Sequence, residues 1–347
     1  MSTRQLWFLL FLILFARLLT MGMTPVLDTT ESRYSEISRL MLVSGDWAVP
    51  QIREGEPFWG KPPLFAWLTA GSFKLFGISP FAARIPHFLL GLATLFLVFR
   101  LSRAHLSQNY SLLALVILSS TPLFFVSSGT VMTESGLLFS TTLSMAGFWF
   151  CLMDKGRIWG LAFFAGLGLG MLAKGPVAVI MTCLPIFAWW FLGRKQPKPS
   201  LTKLPWLSGI TLSLIIAVPW YLVAEQRNPG FLEYFLIGEH FLRFIQPGWQ
   251  GDLYGNAHSE PLGMIWFWWF QATAAWGVLL AFVVLKFALS YRSRHWPSFD
   301  DWQIYLICWF LAPLVFFTFS GNILWTYVIS GMPAFALLLA GSQAHRS

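Results

Sequence analysis

Apolar stretches of about twenty residues, separated by short polar connections, fill most of this chain and set the terms on which it can fold. A helix needs roughly 20 predominantly apolar residues to cross about 30 Å of hydrocarbon. Such stretches recur near 5–24, 83–101, 110–128, 135–153, 157–173, 176–193, 205–224, 261–288, 303–320 and 324–341. Backbone groups in lipid must find partners inside their own segment, so each stretch is expected to be a helix. The expected fold class is an all-α polytopic membrane protein with about ten transmembrane helices. A composition of 56% hydrophobic and 11% charged residues over 347 positions excludes an ordinary water-soluble domain.

The positions of the few charges orient these spans. Numbered in order, one set of loops carries Arg4, Arg100, Arg103, Lys155 and Arg157, then Arg194, Lys195, Lys198 and Lys203, then Arg292, Arg294 and Arg346. Short loops rich in Lys and Arg stay inside, so this side is expected to be cytoplasmic. The acids gather on the other side, from Asp28, Glu31, Glu36 and Asp46 to Glu225, Glu233, Glu239 and Asp252, with only Asp154, Asp300 and Asp301 inside. The net charge of +8 is scattered over loop ends as topology demands. It points to anionic membrane lipids as partners and not to nucleic acid. The first apolar segment is read as a retained helix, since Arg17 interrupts it and no small-residue cleavage site follows. Cys151, Cys183 and Cys308 fall inside spans without CxxC spacing and read as packing residues.

Two polar segments on the acidic side carry the chemistry. In the first, 25–80, apolar Tyr34, Ile37, Leu40 and Met41 recur at helical spacing opposite Arg33, Glu36 and Arg39, which predicts an interfacial helix over Thr29–Val43 ended by Gly45. The aromatic run of Pro62–Phe76 predicts a second. Asp28 and Glu31 stand at the entry to the first helix with the spacing of a capping box, so they can serve as helix cap, as ionised base, or both. The second segment, 225–260, places Glu239 and Arg243 four residues apart with His240 beside them, either a surface ion pair or part of a site. Thr133–Glu134 and Ala173–Lys174–Gly175–Pro176 each set one charge where hydrocarbon begins, a costly place that marks functional candidates.

These residues resemble a known family: integral-membrane glycosyltransferases that use polyprenyl-phosphate sugars, of the aminoarabinose-transferase and protein-mannosyltransferase (GT-C) type. The resemblance rests on Glu31-Ser32-Arg33-Tyr34-Ser35-Glu36-Ile37-Ser38-Arg39 with Ser44-Gly45-Asp46-Trp47, and on Lys61-Pro62-Pro63-Leu64. Later motifs are Lys174-Gly175-Pro176, Pro219-Trp220-Tyr221, Glu239-His240-Phe241-Leu242-Arg243-Phe244 and Tyr327-Val328-Ile329-Ser330-Gly331-Met332-Pro333. It implies transfer of a glycosyl group, with inversion, from a polyprenyl-phosphate sugar donor to a lipid or glycan acceptor at the outer, periplasmic face of the cell inner membrane. It also implies Asp28 or Glu31 as catalytic base, Lys61, Lys174 and Arg243 as ligands of the donor phosphate, and Arg33, Tyr34, Glu134, Glu239 and His240 as substrate-binding candidates. The types suit the chemistry, because a sugar 1-phosphate leaves only when its growing charge is stabilised and a hydroxyl attacks better when its proton is accepted.

The pattern departs from the family's at two places. Many members of the family carry adjacent Asp-Glu where Thr30 precedes Glu31 here, and often an acid before the lysine where Gly60 stands here. No cofactor is expected to be required, and a divalent cation beside His240 is left open. The whole of 1–347 is expected to form one transmembrane domain, with the further spans and soluble domain of longer relatives absent after Ser347. The competing reading is a transporter or lipid flippase, which needs charge near mid-membrane and paired halves. A charge cluster on one face and the lack of a repeat favour the enzyme.

Overall fold

The computed structural model of the protein describes residues 1–193, 200–255, 257–290 and 299–344, so Arg194, Lys195, Lys198, Arg292, Arg294 and Arg346 lie outside the described residues. Helix α1 (Thr3–Met23) opens on a reciprocal cap between Ser2 and Gln5. After it follow α2 (Thr29–Ser44), a small antiparallel hairpin of β1 (Gln51–Arg53) and β2 (Glu56–Pro57), and α3 (Leu64–Phe76). The chain then runs through α4 (Pro80–Ser102), α5 (Gln108–Ser120), α6 (Pro122–Ser127), α7 (Glu134–Leu152), α8 (Arg157–Lys174), α9 (Pro176–Leu192) and α10 (Trp206–Arg227). A π-helical segment, Glu233–Leu242, runs into the short α11 (Arg243–Ile245), and α12 (Ile265–Thr273), α13 (Ala275–Ser290) and α14 (Asp301–Thr318) come next. A 3-10 segment, Trp325–Gly331, leads into α15 (Met332–Ala344).

Seven helical segments among the described residues are long and apolar enough to cross a membrane, eight if the bent pair α12–α13 counts as one span. The chain is a multi-pass membrane protein. The expected span 110–128 is broken between α5 and α6, because Thr121 before Pro122 takes an extended conformation (ψ 139). The expected span 176–193 is α9, an apolar helix of 17 residues. The expected span 261–288 bends by 115° at Ala274, which has φ 50. Among the described residues these two breaks and one short helix account for the difference between seven continuous segments and the count of about ten read in the sequence.

Helix α7 forms the centre of the bundle: 89% of its apolar stretch is buried inside the protein, against 22% of α1 and 28% of α10, whose faces are left to lipid. Close approach rests on small residues. A Cβ at Gly147 would fall 2.6 Å from the Phe163 nitrogen and Trp159 oxygen, and one at Gly166 would fall 2.6 Å from the Ser140 oxygen, so α7 and α8 touch backbone to backbone. At the opposite end from α2 and α3, Lys203 pairs with Asp154 at 2.7 Å.

The two helices expected in the segment 25–80 are present. Asp28 caps α2, and Gly45 ends it in the left-handed conformation at φ 71. Tyr34, Ile37 and Met41 of α2 pack on Phe65, Ala66, Ala70 and Phe73 of α3, and the two helices share this apolar core with Ala82 and Ala83 at the start of α4 and with Val131. The hairpin between them was not read from the sequence; its strands of three and two residues are too short for a period of two to show.

Candidate active site

Lys61 is presented by a rigid corner. Tyr254 donates to the Pro57 oxygen at 3.2 Å and accepts from the Trp59 nitrogen at 2.9 Å, which ties the chain just before Lys61 to the second outer segment. The Phe58 and Tyr254 rings lie 4.6 Å apart, and a Cβ at Gly60 would come within 2.9 Å of Phe58 and 3.1 Å of Tyr254. Those rings take the space an acid at position 60 would need.

The Lys61 ammonium donates to the Gly60 oxygen at 2.6 Å and to Glu239 Oε2 at 3.1 Å. Glu239 belongs to the π-helical segment, whose wider turn stacks Tyr234, Glu239 and Arg243 on one face. Such segments are rare and recur at functional sites. Tyr234 donates to Glu239 Oε1 at 3.2 Å, while Arg243 Nη1 reaches Oε1 at 3.0 Å, Oε2 at 3.2 Å and Asp252 Oδ2 at 3.1 Å. Asn322 anchors the end of the segment by donating to the Arg243 and Gln246 carbonyls. Burial alone would raise the Glu239 carboxyl, but Lys61 and Arg243 outweigh it and hold it below its ordinary value. The Tyr234 phenol is pushed up by burial and by Glu239, so it stays a donor.

A second group adjoins the first. Lys174, at the outer end of α8, pairs with Glu134 at 2.7 Å, and its ammonium lies 5.3 Å from the centre of the Tyr327 ring. Thr133 donates to the other Glu134 oxygen at 3.2 Å. His240 turns Nδ1 to the Phe235 oxygen at 2.7 Å and Nε2 to the Lys174 oxygen at 3.2 Å. Burial pushes its imidazole below the ordinary value, and the two carbonyls pull the other way. With both nitrogens facing carbonyls, His240 offers a lone pair to a cation only by giving up a contact. Among the described residues no group of three or more His, Cys, Asp and Glu could hold a metal ion.

Asp28 and Glu31 form a third group, and the structure separates their roles. Asp28 Oδ1 accepts from the amides of Thr30 at 2.9 Å and Glu31 at 3.1 Å, leaving the exposed side chain one further oxygen. Glu31 is buried and fully engaged: Arg84 Nε and Nη2 each donate to one of its oxygens at 2.7 Å, and the Val131 amide donates at 3.1 Å. Arg84 also donates to the carbonyls of Met21, Thr24 and Pro25. Glu31 therefore does not reach back to the Asp28 amide as a reciprocal cap would require; it closes a buried clamp joining α1, α2, α4 and the turn before α7. On the next turn of α2, Arg33 has no hydrogen bond or ion pair among the described residues, and Tyr34 is buried against Phe58 and Phe65. Arg17, noted as an interruption of the first span, donates to the Val126 oxygen at 2.8 Å and lies 5.1 Å from the centre of the Phe125 ring.

The structure thus brings together Lys61, Glu239 and Arg243, sets Lys174, Glu134 and His240 against them, and gives Asp28 and Glu31 their own contacts at the entry to α2. Sequence reasoning missed Arg84, Asp252 and the anchoring Asn322. Arg84 carried a signal, an arginine one residue inside an expected span, where an ionisable group marks a partner nearby. Asp252 and Asn322 lie in irregular backbone and carried none.

Comparison with known proteins places this architecture. The family model described as dolichyl-phosphate-mannose-protein mannosyltransferase matches residues 1–235. An undecaprenyl phosphate-α-4-amino-4-deoxy-L-arabinose arabinosyl transferase of Sodalis glossinidius is 31% identical over 89% of this chain and 53% of its own length. One from Aeromonas salmonicida is 29% identical over 96% of this chain and 58% of its own length. The chain thus spans little more than half the length of the curated relatives it matches. The crystal structure of ArnT from Cupriavidus metallidurans bound to undecaprenyl phosphate superposes with a TM-score of 0.84 at 22% identity, over 100% of this chain and 61% of that one. The apo oligosaccharyltransferase of Archaeoglobus fulgidus shares the fold more distantly, with a TM-score of 0.61 at 12% identity over 98% and 50% of the two chains. With 235 of its 347 residues matched and that fold in common, the chain belongs to the dolichyl-phosphate-mannose-protein mannosyltransferase family.

Proposed function

We propose that this protein transfers a glycosyl group from a polyprenyl-phosphate-linked sugar to a lipid or glycan acceptor, inverting the anomeric centre, at the outer face of the cell inner membrane. The observation that carries the reading is the convergence of Lys61 and Arg243, from two different outer segments, within 3.1 and 3.2 Å of one point beside the membrane. Two cations aimed at one point match a phosphate that gains charge as its ester bond to the sugar breaks. The names of the relatives support a donor of the undecaprenyl-phosphate class. The family model and the curated relatives named above are described as transferases, which leaves the transporter alternative without support.

In this reading Lys61 and Arg243 bind the donor phosphate directly. Lys174, held by Glu134 at 2.7 Å, adds positive potential from one step away and fixes His240 through its carbonyl. Arg33, without a hydrogen bond or ion pair among the described residues, is a further phosphate or sugar ligand, and Tyr34 lines the wall behind it. Of the two carboxylates at α2, Asp28 is the base, because among the described residues it keeps one oxygen free of protein contacts. Glu31, tied to Arg84, positions the helix that carries it. The acidic side and the basic loops support a site on the periplasmic face, and in this reading residues 1–347 belong to one transmembrane unit. No step of the reading draws on a metal.

The test is transfer in proteoliposomes loaded with lipid-linked sugars from the native membrane. Wild-type protein should release polyprenyl phosphate and yield a product of opposite anomeric configuration, and Lys61→Ala should do neither. Product of retained configuration, or undiminished transfer by Lys61→Ala, would overturn the assignment.

A further inference from the structure

Three cations of the site, Lys61, Arg243 and Lys174, face three carboxylates of the protein itself, Glu239, Asp252 and Glu134. Without ligand these three charges of each sign already cancel. A phosphate held by both Lys61 and Arg243 must bring an oxygen to about 2.8 Å from each nitrogen. Glu239 Oε2 now stands there, 3.1 Å from Lys61 Nζ and 3.2 Å from Arg243 Nη1, with a side chain only 3% exposed. Among the described residues Arg243 makes its ion pairs through Nη1 and its buried Nε has no partner, so the guanidinium has a second edge ready to take up a new acceptor.

Resting on the phosphate-site reading, we propose that Glu239 is an exchangeable internal anion: the donor phosphate enters by displacing the Glu239 carboxylate from Lys61 and Arg243, and the carboxylate returns to expel the product lipid. The charges suit a cycle. A sugar-phosphate-prenyl diester carries one negative charge, so its entry replaces Glu239 one for one. Cleavage of the sugar bond leaves a phosphate monoester with about −1.5 to −2 charges at neutral pH. That extra charge stands against Glu239 and Asp252, and like charges so placed repel strongly. Displaced from the cations, Glu239 keeps the Tyr234 hydroxyl, which now donates to Oε1 at 3.2 Å. Tyr234 in turn is held at the Leu253 amide, so the carboxylate has a fixed place from which to return.

The experiment measures binding of undecaprenyl phosphate to the full chain in detergent at neutral pH, by titration with native mass spectrometry, for wild type, Glu239→Gln and Lys61→Ala. Glutamine keeps the shape and the contacts to Tyr234 and Arg243 but removes the competing charge, so Glu239→Gln should bind about tenfold more tightly than wild type. Lys61→Ala should bind at least about tenfold more weakly. Weaker or equal binding by Glu239→Gln would overturn the exchange while leaving the phosphate site standing, since Glu239 would then merely hold the cations in place. Equal binding by wild type and Lys61→Ala would overturn both. A second measurement does not depend on any variant folding: in a structure of wild type with the lipid bound, Lys61 Nζ and Glu239 Oε2 should lie more than about 4 Å apart. A bound phosphate with the present contact intact would contradict the exchange.

Discussion

Replacing Arg84 by methionine should be among the most damaging changes outside the phosphate site, and the structure sets the size of the effect. The guanidinium makes six hydrogen bonds: two to Glu31, one each to the carbonyls of Met21, Thr24 and Pro25, and one to the Thr24 hydroxyl. Both partners of the ion pair have side chains only 4% exposed, so neither charge can turn to water when the other is lost. Removing one member of a buried pair costs about 3–5 kcal/mol, because a charge is left without compensation. Arg84→Met leaves Glu31 with the Val131 amide as its remaining partner and should fall at the upper end of that range. Removing both charges together, as in Glu31→Leu with Arg84→Met, should be milder than Arg84→Met alone by about 2 kcal/mol, since no buried charge remains. Equilibrium unfolding in mixed micelles of mild detergent and dodecyl sulfate gives these differences directly. A loss below about 1 kcal/mol for Arg84→Met, or a double variant worse than the single one, would refute the clamp.

The pH dependence follows from Glu239. Its carboxyl titrates below the ordinary 4.5, so its stabilising contribution is complete above pH 4.5 and disappears as pH falls through the lower folded value. Thermal unfolding in detergent should therefore steepen below pH 4.5 in wild type, and Glu239→Gln should remove that part of the slope; identical slopes would count against it. Gly175→Ala combines a left-handed backbone (φ +77) with a Cβ 2.7 Å from the Phe235 ring, whereas Gly156→Ala at φ +108 meets nothing within 4 Å. The first should cost about 2 kcal/mol more than the second and also weaken donor binding through His240, and equal losses would mean that Phe235 yields freely. Asp28→Asn should leave stability within about 1 kcal/mol, because asparagine also caps, yet abolish transfer. Glu31→Gln should lower stability first, and full transfer by Asp28→Asn would remove Asp28 as base.

Much of the fold could be read in the residues because lipid permits little else. Apolar runs of span length had to be helices, and the expected interfacial helix over Thr29–Val43 appears as α2 with Asp28 as cap and Gly45 as stop. Breaks were harder to see. Pro122 carried a signal that an apolar average over 110–128 concealed, and Ala274, which turns α12 into α13, is a residue that favours helix everywhere else. In the site, the i, i+4 spacing of Glu239 and Arg243 correctly placed the two on one face, although the segment is π-helical. The partners of Lys61 and Glu31 were not legible, because Lys61 meets Glu239 across 178 positions and Glu31 meets Arg84 across 53. Such pairs are products of packing. Glu31 is the instructive case: its place at a helix entry suggested cap or base, and burial beside an arginine inside the next span made it a clamp.

The central claim is that Lys61 and Arg243 form a phosphate site for a prenyl lipid, and the most direct measurement is mass spectrometry of the lipids that co-purify with wild type, Lys61→Ala and Arg243→Ala. A polyprenyl phosphate or its glycosyl ester retained by wild type and lost from both variants is the expected result. The same lipid retained undiminished by both variants would contradict the account.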